Sequence, residues 1–234
     1  MSSLKFDLWK GDCLELMKEI PNGSVDTVMC DLPYGTTQCS WDNIISFDLI
    51  WLKNKAGSGL QAKQKHIKVH ENILLFSKNG KYTFNPQKWL VDKKEFLTQR
   101  KTFKDRVVGN NIYNEMVGKR NDTGNERNPL SIVSCRVPFT PQKNRNYSSD
   151  VDLRYHPTQK PLELLEYLIK TYTNENETVL DFTAGSFSTA IACLNTDRKF
   201  IGIELDDSYF DIGVNRIKEH IESNNMNVEL TVKD

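Results

Sequence analysis

Two stretches near opposite ends of this chain each read as strand, helix, strand. Consecutive strands joined through a helix cannot close as a hairpin, so both stretches predict strands lying parallel in an α/β sheet. At the N-terminal end Leu4, Phe6 and Leu8 alternate with polar residues, as in a short strand. Leu14, Leu16, Met17 and Ile20 follow Gly11-Asp12 at helical spacing, and Pro21-Asn22-Gly23 supplies the stop. The compact apolar run Val25 to Cys30 (VDTVMC) predicts a buried strand. Toward the C-terminus Pro161 suits a first helical turn, continued by Leu162, Leu165, Leu168, Ile169 and Tyr172. A buried strand (Thr178 to Asp181), a turn of small residues (Thr183 to Ser186), a helix from Thr189 to Leu194, a strand (Lys199 to Glu204) and an amphipathic helix (Asp211 to Ile221) complete the pattern.

The middle is different. Phe47 to Leu52 reads as a strand or one helical turn, residues 53–65 as a loop, and His70 to Ser77 as a strand, while residues 79–150 show no sustained periodicity. From Trp51 to Tyr147 there are 20 Lys and Arg against 7 Asp and Glu; the remainder has 11 against 24, and the chain total is zero. A basic segment hung from an acidic core suits a polyanion such as nucleic acid, the plainer reading being a solvated lysine-rich surface. With 234 residues and 38% hydrophobic content the chain can bury a core without disulfides. No run approaches the length of a membrane helix. The N-terminus lacks the apolar region of a secretion signal. Five widely spaced cysteines predict reduced thiols in a cytoplasmic protein rather than a zinc site. His66 and His70 stand four apart, but nothing beside them completes a metal site, and none is expected.

Three short motifs carry chemistry. Asp181-Phe182-Thr183-Ala184-Gly185-Ser186 ends an apolar strand in an acid and turns tightly into a helix, with Glu204 closing the next strand. Small residues let a ligand approach the backbone, and an acid after the following strand suits ribose hydroxyls. An adenosine-containing ligand is indicated, the alternative being an ordinary strand–helix turn; no GKS or GKT follows, so a P-loop is disfavoured. Asp31-Leu32-Pro33-Tyr34-Gly35 ends the VDTVMC strand, at the sheet edge where parallel folds bind ligands. Methylation of an exocyclic amine wants such a set: Asp31 and a Leu32 or Pro33 carbonyl accept the two amine hydrogens, and Tyr34 stacks on the flipped base. The plainer reading is a turn that ends a strand. His156-Pro157-Thr158-Gln159-Lys160-Pro161 precedes the leucine-patterned helix, where Thr158, Lys160 and helix amides suit a carboxylate.

In this order the motifs resemble the β-type DNA amino-methyltransferases, with GDCLELM, VDTVMCDLPYG, KVHENILLFSK, HPTQKP, VLDFTAGS and DRKFIGIE matching across both ends of the chain. The resemblance implies a Rossmann-like α/β sheet with permuted motif order, S-adenosyl-L-methionine as cofactor, and duplex DNA as substrate. It implies the N6 amine of adenine as the acceptor, since an acid in the first motif position is commoner among adenine members. Asp31, Pro33 and Tyr34 would hold the target base. Asp181, Phe182, Gly185 and Ser186 would line the cofactor, Glu204 its ribose, Asp12 its adenine, and Thr158, Lys160 and Pro161 its methionine end. Residues 1–78 would be the catalytic half, 79–150 a target-recognition insert and 151–234 the cofactor half. A homodimer is compatible with this reading, and a restriction-modification setting suits it.

Three departures stand out. Leu32 replaces a proline, and Phe187 stands where many members carry a second glycine, so it either narrows the pocket or packs into the core. Between Trp41-Asp42 and His70 only 27 residues intervene, as if FDLIW were joined directly to WLKNKAGSG. The absent stretch would include a strand beside the one that carries Asp31. The alternatives are therefore a degenerate member that binds DNA or cofactor without turnover, a cytosine-N4 enzyme, or methylation of an amine on RNA or protein.

Overall fold

The computed structural model describes residues 3–31, 44–54, 66–78, 81–90, 126–136, 138 and 154–233. They form two units: Met1–Asn85 with Ser131–Asp234, and Pro86–Leu130. In the smaller unit, β5 (Trp89–Leu90) pairs antiparallel with β6 (Glu126–Arg127).

The larger unit is built on five parallel strands: β1 (Leu4–Lys10), β2 (Thr27–Val28), β8 (Thr178–Asp181), β9 (Lys199–Glu204) and β10 (Val228–Lys233). Their order is β10-β1-β9-β8-β2. The alternation in β1 is the alternation of burial, with Leu4, Phe6 and Leu8 all in the core. Phe6 stacks against Phe200 of β9 at 5.8 Å between ring centres. β10 is a strand that the sequence reading omits, although Val228, Leu230 and Val232 alternate as an edge strand should.

Two expectations are corrected. Residues 14–20 make only a four-residue helix, α1 (Cys13–Leu16), followed by a 3-10 turn (Met17–Glu19), with no buried residue in either. The Val25 to Cys30 segment is not a buried strand: it pairs with β8 alone, and Val28 is 53% exposed. An apolar run implies neighbours on both sides, and among the described residues no strand pairs with the outer edge of β2.

A second sheet has the order β4-β3-β7: β4 (His70–Lys78) runs antiparallel to β3 (Ile44–Lys53), and β7 (Ile132–Cys135) runs parallel to it. FDLIWL is therefore strand, not a helical turn. Helix α2 (Leu162–Tyr172) joins the two sheets by splitting its apolar face. Leu165 and Ile169 enter the core of the five-stranded sheet. Leu164 and Leu168 pack with Leu49, Trp51 and Cys135 of the second. Each pair is four residues apart, so each forms one row along the helix. Trp51 is buried, and its indole N–H donates to the Cys135 carbonyl at 3.1 Å.

Helices α3 (Ser188–Leu194) and α4 (Asp207–Ser223) complete the core. All seven residues of α3 are buried, and its small side chains permit that closeness. The fourth helix begins four residues earlier than its apolar periodicity predicts, because the Asp206 carboxylate caps the Tyr209 N–H at 3.0 Å. Asn85 anchors the end of its segment on α2, its N–H donating to the Thr171 carbonyl and its side-chain amide to the Thr173 carbonyl.

Candidate active site

Parallel strands end on the same edge of their sheet, and here that edge carries a row of acids. Asp12 follows β1, Glu204 ends β9, Asp181 ends β8 and Asp31 follows β2. Positions 12, 31, 181 and 204 in the chain become 12, 204, 181, 31 in space, because the sheet order is β1-β9-β8-β2. Asp12 caps α1, accepting from the Leu14 N–H at 2.8 Å, and the neighbouring Gly11 N–H donates to the Glu204 carbonyl.

Asp181 is buried. Its carboxylate accepts the Thr189 hydroxyl at 2.7 Å and the Thr183 N–H at 3.1 Å. Burial raises its pKa to about 6; the two hydrogen bonds oppose that, and the charges of Asp31 and Glu204 add to it. Cys30 feels the same neighbours: burial first, then Asp181 and Asp31, push its thiol to about 12, so it stays protonated at neutral pH.

The cofactor-type turn closes on Glu204. Gly185 takes a left-handed φ of 54°, and its N–H donates to Glu204 Oε2 at 2.6 Å. The other oxygen accepts the Leu205 and Asp206 N–H groups. Phe182 is half-buried in this turn. Phe187 resolves one question from the sequence: its ring is fully buried against Phe200 and Phe210, so it packs into the core and does not narrow a pocket.

The HPTQKP box folds onto both groups. Gln159 is buried; its side-chain carbonyl accepts the Tyr155 N–H at 2.8 Å and the Ser186 hydroxyl at 3.4 Å. Arg216 of α4 donates to the Ser186 carbonyl and hydroxyl and to the Ser188 hydroxyl, and lies over the Tyr155 ring at 4.3 Å. The His156 ring meets Tyr209 edge-on at 4.1 Å, and Thr158 Oγ1 lies 3.0 Å from His156 Nδ1. Burial lowers the His156 pKa, against the pull of Glu204, Asp31 and Asp206. Pro161 is buried at the head of α2. Lys160 reaches Asp31 Oδ2 at 2.5 Å and Glu71 Oε2 at 3.6 Å. The first contact joins residues 129 apart in sequence.

The structure thus gathers Asp31, Asp181, Gly185, Ser186, Glu204 and Lys160. Pro33 and Tyr34 lie outside the described residues. Sequence reading passed over Glu71, Lys53, Gln159 and Arg216. Gln159 and Glu71 lay inside quoted motifs, HPTQKP and KVHENILLFSK, with no role assigned to them, whereas nothing in the spacing of Lys53 and Arg216 marks them. Among the described residues no His, Cys, Asp and Glu cluster could hold a metal, and no helix is long and apolar enough to cross a membrane.

A family model described as DNA methylase matches residues 37–215. The chain is 29% identical over 208 residues to DNA adenine methyltransferase YhdJ of Escherichia coli (strain K12), covering 88% of this chain and 63% of YhdJ. It is 30% identical over 220 residues to the methylase YubD of the same strain, covering 89% and 88%. The match to type II methyltransferase M2.MboI of Moraxella bovis, 23% identical, covers 92% of this chain and 88% of that protein. It runs over 257 residues, more than the chain contains, so it includes positions with no counterpart here. The crystal structure of the M1.HpyAVI-SAM complex has the same fold at 22% identity, with a TM-score of 0.56 over 90% of this chain and 99% of that one. PvuII DNA methyltransferase (cytosine-N4-specific) has it at 13% identity, with a TM-score of 0.57 over 99% and 96%.

Proposed function

The chain belongs to the N6/N4 DNA methyltransferase family, and on that footing we propose that it methylates the N6 amine of an adenine flipped out of duplex DNA, using S-adenosyl-L-methionine. The observation that carries the reading is the row of acids: Asp31 follows β2, which pairs with the strand ending in Asp181, and the strand ending in Glu204 is next in the sheet, so an amine held by Asp31 faces the same edge as the cofactor turn. The choice of adenine follows the name of YhdJ and the acid at the head of the motif.

The residues present suit that cofactor. Glu204 offers a carboxylate at the end of β9, Gly185 leaves the turn without a side chain, and the polar groups of Asp12, Ser186 and Thr158 border the same edge. When bound, the cofactor supplies a methyl group on a positively charged sulfur. The chain's own residues hold the acceptor. An exocyclic amine is a poor nucleophile because its lone pair is delocalised into the base. A hydrogen bond to the Asp31 carboxylate withdraws that delocalisation and favours the charge that grows on nitrogen. The amine nitrogen bonds to the methyl carbon as the carbon–sulfur bond breaks, the electron pair stays on sulfur, and one amine proton leaves toward Asp31. Alignment of the two reactants supplies most of the acceleration.

In this reading residues 1–78 carry the catalytic half, 151–234 the cofactor half, and the basic residues 79–150 the target-recognition surface. The test is methyl transfer from labelled cofactor to unmethylated duplex DNA, read by nucleoside mass spectrometry, for wild type and Asp31→Ala. N6-methyladenine from wild type, reduced at least about a hundredfold in the variant, is expected. N4-methylcytosine would overturn the choice of base. Transfer unchanged in Asp31→Ala would overturn the site, and no product from folded wild type would overturn the activity.

A further inference from the structure

Lys160 is shared. Its ammonium group contacts Asp31 Oδ2 at 2.5 Å, the Thr158 carbonyl at 3.3 Å and Glu71 Oε2 at 3.6 Å. The second oxygen of Glu71 takes Lys53 Nζ at 2.6 Å. The four groups alternate in sign, Lys53, Glu71, Lys160, Asp31. They come from β3, β4, the segment before α2 and the segment after β2, so the chain of charges runs between two sheets that share no ladder among the described residues. Lys53, Glu71 and Lys160 keep only about a fifth of their side-chain surface exposed. Partial burial makes such contacts stronger than surface ion pairs.

We propose that Glu71 is a positioning residue for methyl transfer, acting through Lys160 on Asp31; this rests on the function proposed above. Asp31 Oδ1 makes no hydrogen bond to a described residue, while Oδ2 is taken by Lys160. The lysine therefore decides which oxygen is offered to an incoming amine. A lysine is a flexible point charge with no preferred plane, so it needs a second anchor to hold one position. Glu71 supplies that anchor, and Lys53 in turn fixes Glu71. Glu71 also cancels the charge of Lys160. The amine becomes more positive as it is methylated, and a lysine beside Asp31 without its counter-charge would oppose that change. Burial alone would raise the Glu71 pKa, but the Lys53 hydrogen bond and the charges of Lys160 and Lys53 outweigh it, so Glu71 is lowered overall and stays ionised at neutral pH.

The experiment compares full-length wild type, Glu71→Gln and Glu71→Asp in two readouts. The first is kcat for methyl transfer to duplex DNA, together with cofactor affinity. The second is the rate at which an amine-reactive ester modifies Lys160, measured by peptide mass spectrometry against the remaining lysines, and it needs no activity. Glu71→Gln is expected to lower kcat about tenfold, as a loosened reactive geometry does, with cofactor affinity within about twofold of wild type. It is expected to speed Lys160 modification about fivefold, since the lysine loses one of the two carboxylates that hold it in place. Glu71→Asp keeps the charge and recovers most of both. Unchanged Lys160 modification in Glu71→Gln overturns the inference. So does an unchanged kcat, or a loss confined to cofactor affinity, which would place Glu71 with the cofactor. If wild type transfers no methyl group, the functional reading fails, and Lys160 modification alone decides: faster in Glu71→Gln supports the anchor, unchanged overturns it.

Discussion

The ring of Phe187 occupies the space in which a side chain at Gly213 would begin: a Cβ there would overlap Phe187 Cδ2. Gly202 of β9 faces the same ring, where a Cβ would lie 2.5 Å from Phe187 Cε1. Two glycines, on a strand and a helix, thus make room for one phenylalanine. That residue accepts a left-handed backbone (φ 57°) directly after the cofactor turn. The ring drives the core together from the position where its backbone shapes the site.

Gly213→Ala should therefore destabilise the protein, by about 1–3 kcal/mol of overpacking, even though alanine is the better helix former by about 1 kcal/mol. Phe187→Gly relieves the left-handed backbone yet empties the core, and should cost about 2–4 kcal/mol. Urea unfolding of both variants checks this. A Gly213→Ala protein more stable than wild type would contradict the packing.

Asp181 carries a pH signature. Its folded pKa, near 6, lies above the ordinary 3.8, so the folded state holds the proton more tightly than the unfolded chain. That contribution to stability is fully present below about pH 4 and is lost as pH rises through about 6. Asp181→Asn removes the buried charge while keeping groups that can meet Thr189 and Thr183. At pH 8 it should be more stable than wild type by about 3 kcal/mol, with the difference gone by about pH 4. Thermal melts across that range measure it. The same variant should bind S-adenosyl-L-methionine more weakly if Asp181 lines the cofactor.

Arg216 ties the cofactor turn to the last helix through the Ser186 carbonyl and hydroxyl and the Ser188 hydroxyl. Arg216→Ala leaves these acceptors without that donor and uncovers Tyr155. Calorimetric titration should show cofactor affinity falling about tenfold, the size of one lost charged hydrogen bond. Arg216→Lys should recover only part of it, since an ammonium group cannot lay a plane on the Tyr155 ring as the guanidinium does. Unchanged affinity in Arg216→Ala would show that the turn holds its shape without the clamp.

The basic middle predicts a salt effect. Lys93 and Lys94 lie outside the described residues, and the expectation rests on sequence alone. If they meet DNA phosphates, replacing both with Gln should weaken binding equally on all DNA sequences and reduce the slope of log affinity against log salt by about 2. Filter binding at several salt concentrations reads this, and an unchanged slope would place both lysines away from the DNA.

Much of the site was legible because its acids follow strands that announce themselves. TVLD, KFIGIE and the alternation of Leu4, Phe6 and Leu8 are local patterns, and a residue that follows a parallel strand falls on the ligand edge whatever the strand order. Gln159 and Arg216 were less accessible. Their partner Ser186 is 27 and 30 residues away, and no local period connects them. VDTVMC misled for a related reason: apolar composition implies neighbours on both sides, and whether a second neighbour exists is a property of the sheet.

Sequence by itself determined the parallel α/β class, the acids at 12, 31, 181 and 204, and the concentration of positive charge in the middle, because each depends on neighbours in the chain or on composition. Tertiary structure alone decided that these acids stand in the row 12, 204, 181, 31, that Phe187 is core, and that Lys160 lies between Asp31 and Glu71. Those relations come from which strands pair and from a helix that divides its apolar face between two sheets. Pairing is settled by burial summed over the whole fold, which no window of sequence contains.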